Sequence, residues 1–104
     1  MIDIRMYRDA HGRVPVDEWM NSLQDIRARQ HIQVRIRRLS LGLEGDWKSV
    51  GKGVRELRIQ EGRGYRLYYS WTDDNTAILL CGGDKASQKR DVQKAIAYLK
   101  DYHG

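Results

Sequence analysis

The stretch from Gly53 to Val92 constrains the fold more than any other part of the chain. It reads GVRELRIQEGRGYRLYYSWTDDNTAILLCGGDKASQKRDV. Leu57 and Ile59 alternate with Glu56 and Arg58, and Tyr65, Leu67, Tyr69 and Trp71 alternate with Arg66, Tyr68 and Ser70. A period of two is the mark of a half-buried strand. The short connection from Gln60 to Gly64 makes the two strands antiparallel. If Ile59 pairs with Tyr65, Leu57 meets Leu67 and Arg58 meets Arg66. A slip of one residue would set apolar side chains against polar ones. After the Asp73-Asp74-Asn75 turn, the continuous apolar run from Ala77 to Cys81 predicts a strand covered on both faces.

This register places two arginines opposite each other on a face expected to be open, with Glu56 and Tyr68 beside them. Like charges directly across a sheet are unfavourable, so either a bound anion or Glu56 must offset them. The strand run closes on Gly82-Gly83-Asp84-Lys85, where glycine allows a sharp turn or a close approach of another group. Ser87 fits the N-cap of a helix from Gln88 to Tyr102, whose Val92, Ala95, Ile96 and Leu99 form one apolar stripe. Lys85, Lys89 and Arg90 cluster at its entry, a favourable setting for a phosphate.

The N-terminal half reads as support. Ile2, Ile4 and Met6 alternate with Asp3, Arg5 and Tyr7, as in a strand. Pro15 suits the first turn of a helix over Val16–Leu23, with Trp19, Met20 and Leu23 on its apolar edge. From Asp25 to Leu43, Ile32, Ile36, Leu39 and Leu43 share a helix face. Arg27, Arg29, Arg35, Arg37 and Arg38 fill other positions, as a phosphate-contacting surface or a plainly solvated one. Residues 44–53 read as a glycine-rich loop, with Trp47 plugging the core and Lys48 and Lys52 pointing outward. The order is β-α-α-β-β-β-α.

A chain of 104 residues makes one domain, residues 1–104. With 19 Lys and Arg against 14 Asp and Glu, the net charge is +5, which favours a polyanionic partner, most often nucleic acid. The single cysteine, Cys81, excludes a disulfide framework and fits a core position in a reducing compartment. The N-terminus lacks the apolar core of a signal peptide, and no apolar run approaches the roughly 20 residues that span a bilayer. The expectation is a cytoplasmic protein without membrane contact.

The motifs GVxELRI, GYRLYY and LLCGGDKxSQKRDVxKA, with DEWMNSLQD and LSLGLEGDWKSVGKG upstream, resemble the RelE/ParE toxin superfamily. The likeness is greatest to its HigB-like branch, the addiction module killer proteins, and covers nearly the whole chain. It implies an α+β fold: a twisted, mostly antiparallel four-stranded sheet packed on two N-terminal helices, with a C-terminal helix. It also implies the toxin of a type II toxin–antitoxin system, most often a ribosome-dependent mRNA endoribonuclease (an mRNA interferase) that blocks translation. Other members of the superfamily are ParE-like inhibitors of DNA gyrase, and a decayed, non-toxic antitoxin-binding module is a third reading. The implied partners are mRNA on the ribosome and a helix-turn-helix antitoxin from the adjacent gene. Operator DNA would be bound only through the antitoxin complex. No cofactor or metal is implied.

Metal-independent RNA cleavage proceeds by attack of a 2′-OH on the adjacent phosphorus and leaves a cyclic phosphate. It needs cations on the phosphorane, a base and an acid. Arg58 and Arg66 are the expected phosphate clamp, and the resemblance extends to them and more loosely to Lys85. Lys85 and Lys89 would position RNA, and Tyr68 would stack on a base or bind phosphate. Lys48, Lys52 and Arg90 complete the expected RNA-binding set. The general base is not fixed by the resemblance. Its candidates are Glu56, Lys48, Lys52, Tyr102 and His103, with Glu56 better suited to orienting the arginines and His103 having the right unperturbed pKa. His11 and His31 read as surface residues.

Overall fold

A computed structural model describes all 104 residues. The chain forms β1 (Asp3–Met6), α1 (Pro15–Ser22), α2 (Ile26–Ser40), β2 (Trp47–Gly51), β3 (Val54–Ile59), β4 (Tyr65–Asp73), β5 (Thr76–Gly83) and α3 (Gln88–His103). All strands belong to one sheet, ordered β1-β5-β4-β3-β2. β1 lies parallel to β5, and the other neighbours are antiparallel. The sheet is therefore mixed. The β3–β4 register is the one the apolar alternation demands: Ile59 pairs with Tyr65, Leu57 with Leu67, and Arg58 with Arg66.

The sheet has five strands, not the expected four. Residues 47–51, read as loop, form β2 and pair with β3 through a turn in which Gly51, Lys52 and Gly53 all adopt positive φ. β2 is an edge strand with almost no burial, so it carries no apolar alternation for a pattern to detect. Trp47 is accordingly no core plug. It is 36% exposed, and the Arg55 guanidinium lies 4.0 Å above its ring, a cation–π contact.

The second correction concerns the arginine face. Two apolar clusters flank the sheet. One joins Val16 of α1 and Ala28, Ile32 and Leu39 of α2 to Leu57, Tyr65, Leu67 and Tyr69. The other joins Ala95 and Leu99 of α3 to Val54, Tyr68, Ile78 and Leu80. The face bearing Arg66, Tyr68 and Ser70 is thus roofed by α3, and the molecule is a helix–sheet–helix sandwich. β5 is buried on both sides, as its continuous apolar run requires.

The ends of α2 show why its stripe stops short. Asp25 caps it, its Oδ1 accepting from the backbone N–H groups of Arg27 and Ala28. At the other end Gly42 takes a φ of 82°. Its N–H donates to the Leu39 carbonyl, and that of Leu43 to the Arg38 carbonyl, a Schellman closure. The helix ends at Ser40, and Leu43, expected in the stripe, is 59% exposed. Arg35 leaves the basic surface altogether: its guanidinium donates to the carbonyls of Arg58, Glu44 and Asp46 and holds the β2 approach in place. Cys81 is buried, and burial pushes its thiol up to about 12, so it packs as a small apolar group. No helix is long and apolar enough to cross a membrane.

Candidate functional site

Antiparallel pairing sets Glu56 of β3 directly beside Tyr68 of β4. Glu56 has no accessible surface. Its Oε2 accepts from the Tyr68 hydroxyl at 3.0 Å and from Nε2 of Gln88, the first residue of α3, at 2.8 Å. Its Oε1 lies 3.7 Å from Nε of Arg66, within ion-pairing range but beyond a hydrogen bond. Neither of those two atoms has another partner. Arg66 is itself only 7% exposed, and its Nη1 donates to the carbonyls of Gly64 and Tyr65. Its Nη2 makes no hydrogen bond and is not sealed off from the surface. That nitrogen is the donor left over for an anion.

Tyr68 departs from expectation. Its ring is fully buried and cannot stack on a nucleobase. Desolvation, together with the Glu56 charge and hydrogen bond, raises its phenol well above the ordinary value, so it stays a protonated donor. Arg58 departs differently. Although paired with Arg66 in register, its guanidinium turns to Asp46, with Nη2 at 2.8 Å and Nε at 3.2 Å from Oδ1. The Arg58 hydrogen bond is the main reason the Asp46 carboxylate is held below its ordinary range. The like-charge pair is therefore offset from both ends, by Asp46 on one arginine and Glu56 on the other. Asp46 was missed because it sits in a segment read as loop.

The lysines sort by position. Lys85 is exposed beside the turn at Gly64, where an added Cβ would lie 3.7 Å from Lys85 Cβ and 3.5 Å from Arg66 Nη1. Lys48 and Lys89 line one groove together with Gln88, the residue that holds Glu56. These three cations and Arg66 surround the start of α3. Lys52 and His103 line a different hollow at the far end of that helix. Fifteen residues at ~1.5 Å each put His103 about 22 Å along the axis from Gln88. Tyr102 sits at the same end, so neither it, His103 nor Lys52 joins the cluster. Arg90 lines a cleft on another side of α3.

The Gly-Gly pair admits close neighbours, and they are the protein's own. A Cβ at Gly82 would overlap the benzo ring of Trp19, and one at Gly83 would overlap the Asp91 carboxylate. Asp91 is buried and accepts a short hydrogen bond from Ser87 Oγ. Ser87, expected to cap α3 with its side chain, instead joins this Asp84–Ser87–Asp91 knot. A Cβ there would lie well inside contact distance of the nearest indole atom and force the ring to shift, so Gly82→Ala is expected to cost about 1–3 kcal/mol through overpacking. Urea unfolding would show it as a lower midpoint at unchanged slope, and an unchanged midpoint would contradict this packing.

Comparison with known proteins places the chain. A family model described as "Phage derived protein Gp49-like (DUF891)" matches residues 18–100. A relative from Haemophilus influenzae, described only as an uncharacterized protein, is 48% identical over 79 residues, covering 76% of this chain and 80% of its own. The family match takes in α2, every strand except β1, and nearly all of α3, including each residue around the Glu56–Arg66 pair. The chain belongs to the phage-derived Gp49-like family, a family associated with addiction-module killer toxins.

Proposed function

We propose that the chain is the cytoplasmic toxin of a type II toxin–antitoxin pair and acts as a ribosome-dependent mRNA endoribonuclease of the RelE/HigB kind. The observation that carries this reading is the cation group at the start of α3: Arg66, oriented from below by buried Glu56, with Lys48, Lys85 and Lys89 around it. A 2′-OH attacks the adjacent phosphorus, the P–O5′ bond breaks, and a cyclic phosphate and a 5′-OH result. Arg66 Nη2 stabilises the charge on the phosphorane, and the lysines hold the flanking phosphates. Arg58, half-neutralised by Asp46, acts at the margin of this field.

Glu56 is out of reach of any ribose and serves to position Arg66, not to take a proton. His103 is remote from the cluster. The chain thus supplies charge and geometry, and RNA held in place by the ribosome supplies the alignment that substitutes for a strong base. An antitoxin of helix-turn-helix type would neutralise the protein, and operator DNA would be bound through that complex. The test is induction of the wild-type chain without its antitoxin, followed by primer extension on cellular mRNA. Cuts within translated codons and arrested growth are expected. Intact mRNA with a DNA-damage response would instead indicate gyrase poisoning, and harmless overexpression would indicate a module that only binds its antitoxin. Either result overturns the nuclease reading.

A further inference from the structure

A second site lies on a different side of α3 from Lys48 and Lys89. It is a cleft of about 600 Å³ between the α1–α2 junction, the β3–β4 turn and the β5–α3 loop. Trp19, seated on Gly82, and Tyr65 give it an aromatic floor, their ring centroids 6.5 Å apart. Tyr65 is only 6% exposed. Its hydroxyl nevertheless has no hydrogen-bond partner in the fold and emerges at the cleft beside Gly62 and the Asp25 carboxylate.

Two carboxylates in the wall are half used. Asp25 Oδ1 accepts from the backbone of Arg27 and Ala28, and Asp84 Oδ1 accepts from the backbone and hydroxyl of Ser87. Neither Oδ2 takes a hydrogen bond. Arg63 and Arg90, both exposed and unpaired, add cations to the lining. The fold therefore presents the Trp19 indole face with the Tyr65 ring tilted 58° to it, spare acceptors beside them, and positive charge nearby.

Each part selects against simpler ligands. An apolar ligand would leave the carboxylates dehydrated without partners. A peptide arginine would suit the floor and the acids but would leave Arg63 and Arg90 without a partner. A nucleotide satisfies all three: the base takes the floor, N–H donors on its Watson–Crick edge take the acceptors, and the phosphate takes the arginines. Among the bases, guanine alone offers two neighbouring N–H groups on one edge, N1–H and the N2 amino group, one for each spare Oδ2. We propose that this cleft binds a guanine nucleotide, with the base against Trp19 and Tyr65, the donor edge on Asp25 and Asp84, and the phosphate at Arg63 and Arg90. As a subsite for an unpaired guanosine of RNA it rests on the nuclease reading; as a site for the free nucleotide it does not.

The test is titration of the full-length protein with GMP, AMP, ribose 5-phosphate and N-acetyl-arginine amide, read by calorimetry and by the Trp19 indole N–H resonance. GMP is expected to bind about tenfold or more tighter than AMP, the discrimination of one good pair of base-edge hydrogen bonds. Asp25→Asn and Asp84→Asn retain Oδ1 for the α2 cap and for Ser87, respectively, and turn Oδ2 into a donor. Each should weaken GMP about fivefold or more while leaving Tm nearly unchanged. Tyr65→Phe should weaken it less, with the ring still in place. Equal binding of GMP and ribose 5-phosphate, binding of the arginine amide in preference to GMP, or resonance shifts away from Trp19 would each overturn the site. The two proposals separate cleanly. GMP bound at the cleft by a protein that leaves mRNA intact refutes only the nuclease, and mRNA cleavage without GMP binding refutes only the cleft.

Discussion

Glu56→Ala is expected to remove about 3–5 kcal/mol of folding stability, the cost of breaking a buried ion pair from one side. The carboxylate is fully buried and serves three groups at once: the Tyr68 hydroxyl, the Gln88 amide and the Arg66 guanidinium. Its removal leaves Arg66 as an uncompensated charge at 7% exposure. It also strands a phenol whose burial and whose hydrogen bond to Glu56 keep it protonated, and it opens a void under the first turn of α3. Small domains are stable by only about 5–15 kcal/mol, so the variant should sit near its unfolding threshold at room temperature. Glu56→Gln keeps the shape and an acceptor for Tyr68 and Gln88 but loses the charge, and should fall between wild type and alanine. Urea denaturation of the three proteins is the measurement. A Glu56→Ala penalty within about 1 kcal/mol, the ordinary range of unremarkable substitutions, would mean that Arg66 finds solvent without help and that Glu56 does not position it.

How this core could be read from the sequence, and where it could not, follows from what periodicity encodes. Alternation in Leu57–Ile59 and Tyr65–Trp71 fixes which side chains share a face, and with it the Arg58–Arg66 pairing. It does not say which face receives the last helix. Arg66, Tyr68 and Ser70 look like a solvent-facing set because each carries a polar atom. In the fold those groups find partners inside: Tyr68 donates to Glu56, Ser70 to the Gly53 carbonyl, and Arg66 Nη1 to the turn carbonyls, with Glu56 in ion-pairing range of Nε. A buried polar group with a dedicated partner leaves the same pattern as an exposed one.

Edge strand β2 escaped for the opposite reason, since a strand with little burial has no apolar face to alternate. The Gly82-Gly83 pair was legible as a place of close approach, but its neighbours, Trp19 and Asp91, come from segments outside the strand itself. The cation cluster was legible only in part. Lys85, Lys89 and Arg90 were expected at the start of α3 and Arg66 on the sheet face, whereas Lys48 reaches the cluster only because β2 exists. Arg90 faces the other cleft because consecutive helical residues are rotated by roughly 100°, which turns it away from Lys89.

Arg66→Ala is expected to abolish toxicity, and its effect has to be separated from the stability it shares with Glu56. The functional part resides in Nη2, the guanidinium nitrogen that has no partner and is not sealed off. Loss of one such donor to a developing oxyanion typically costs about 10²–10³ in rate. The structural part resides in Nη1 and Nε, which tie the side chain to the Gly64 turn and to Glu56. Alanine removes both parts, leaving the Glu56 carboxylate with two neutral donors and no cation. Arg66→Lys retains a charge near Glu56 but gives up the planar fork, so it should recover much of the lost stability while staying strongly impaired. Lys85→Ala tests the field without touching the core, because Lys85 is exposed; a partial loss of toxicity at unchanged Tm is expected. The variants would first be screened by thermal unfolding and antitoxin co-purification, then by growth and primer extension after induction without antitoxin. A folded, antitoxin-binding Arg66→Lys protein that still arrests growth and cuts mRNA at the wild-type rate would remove Arg66 from the phosphate site and leave the cluster at α3 without its central donor.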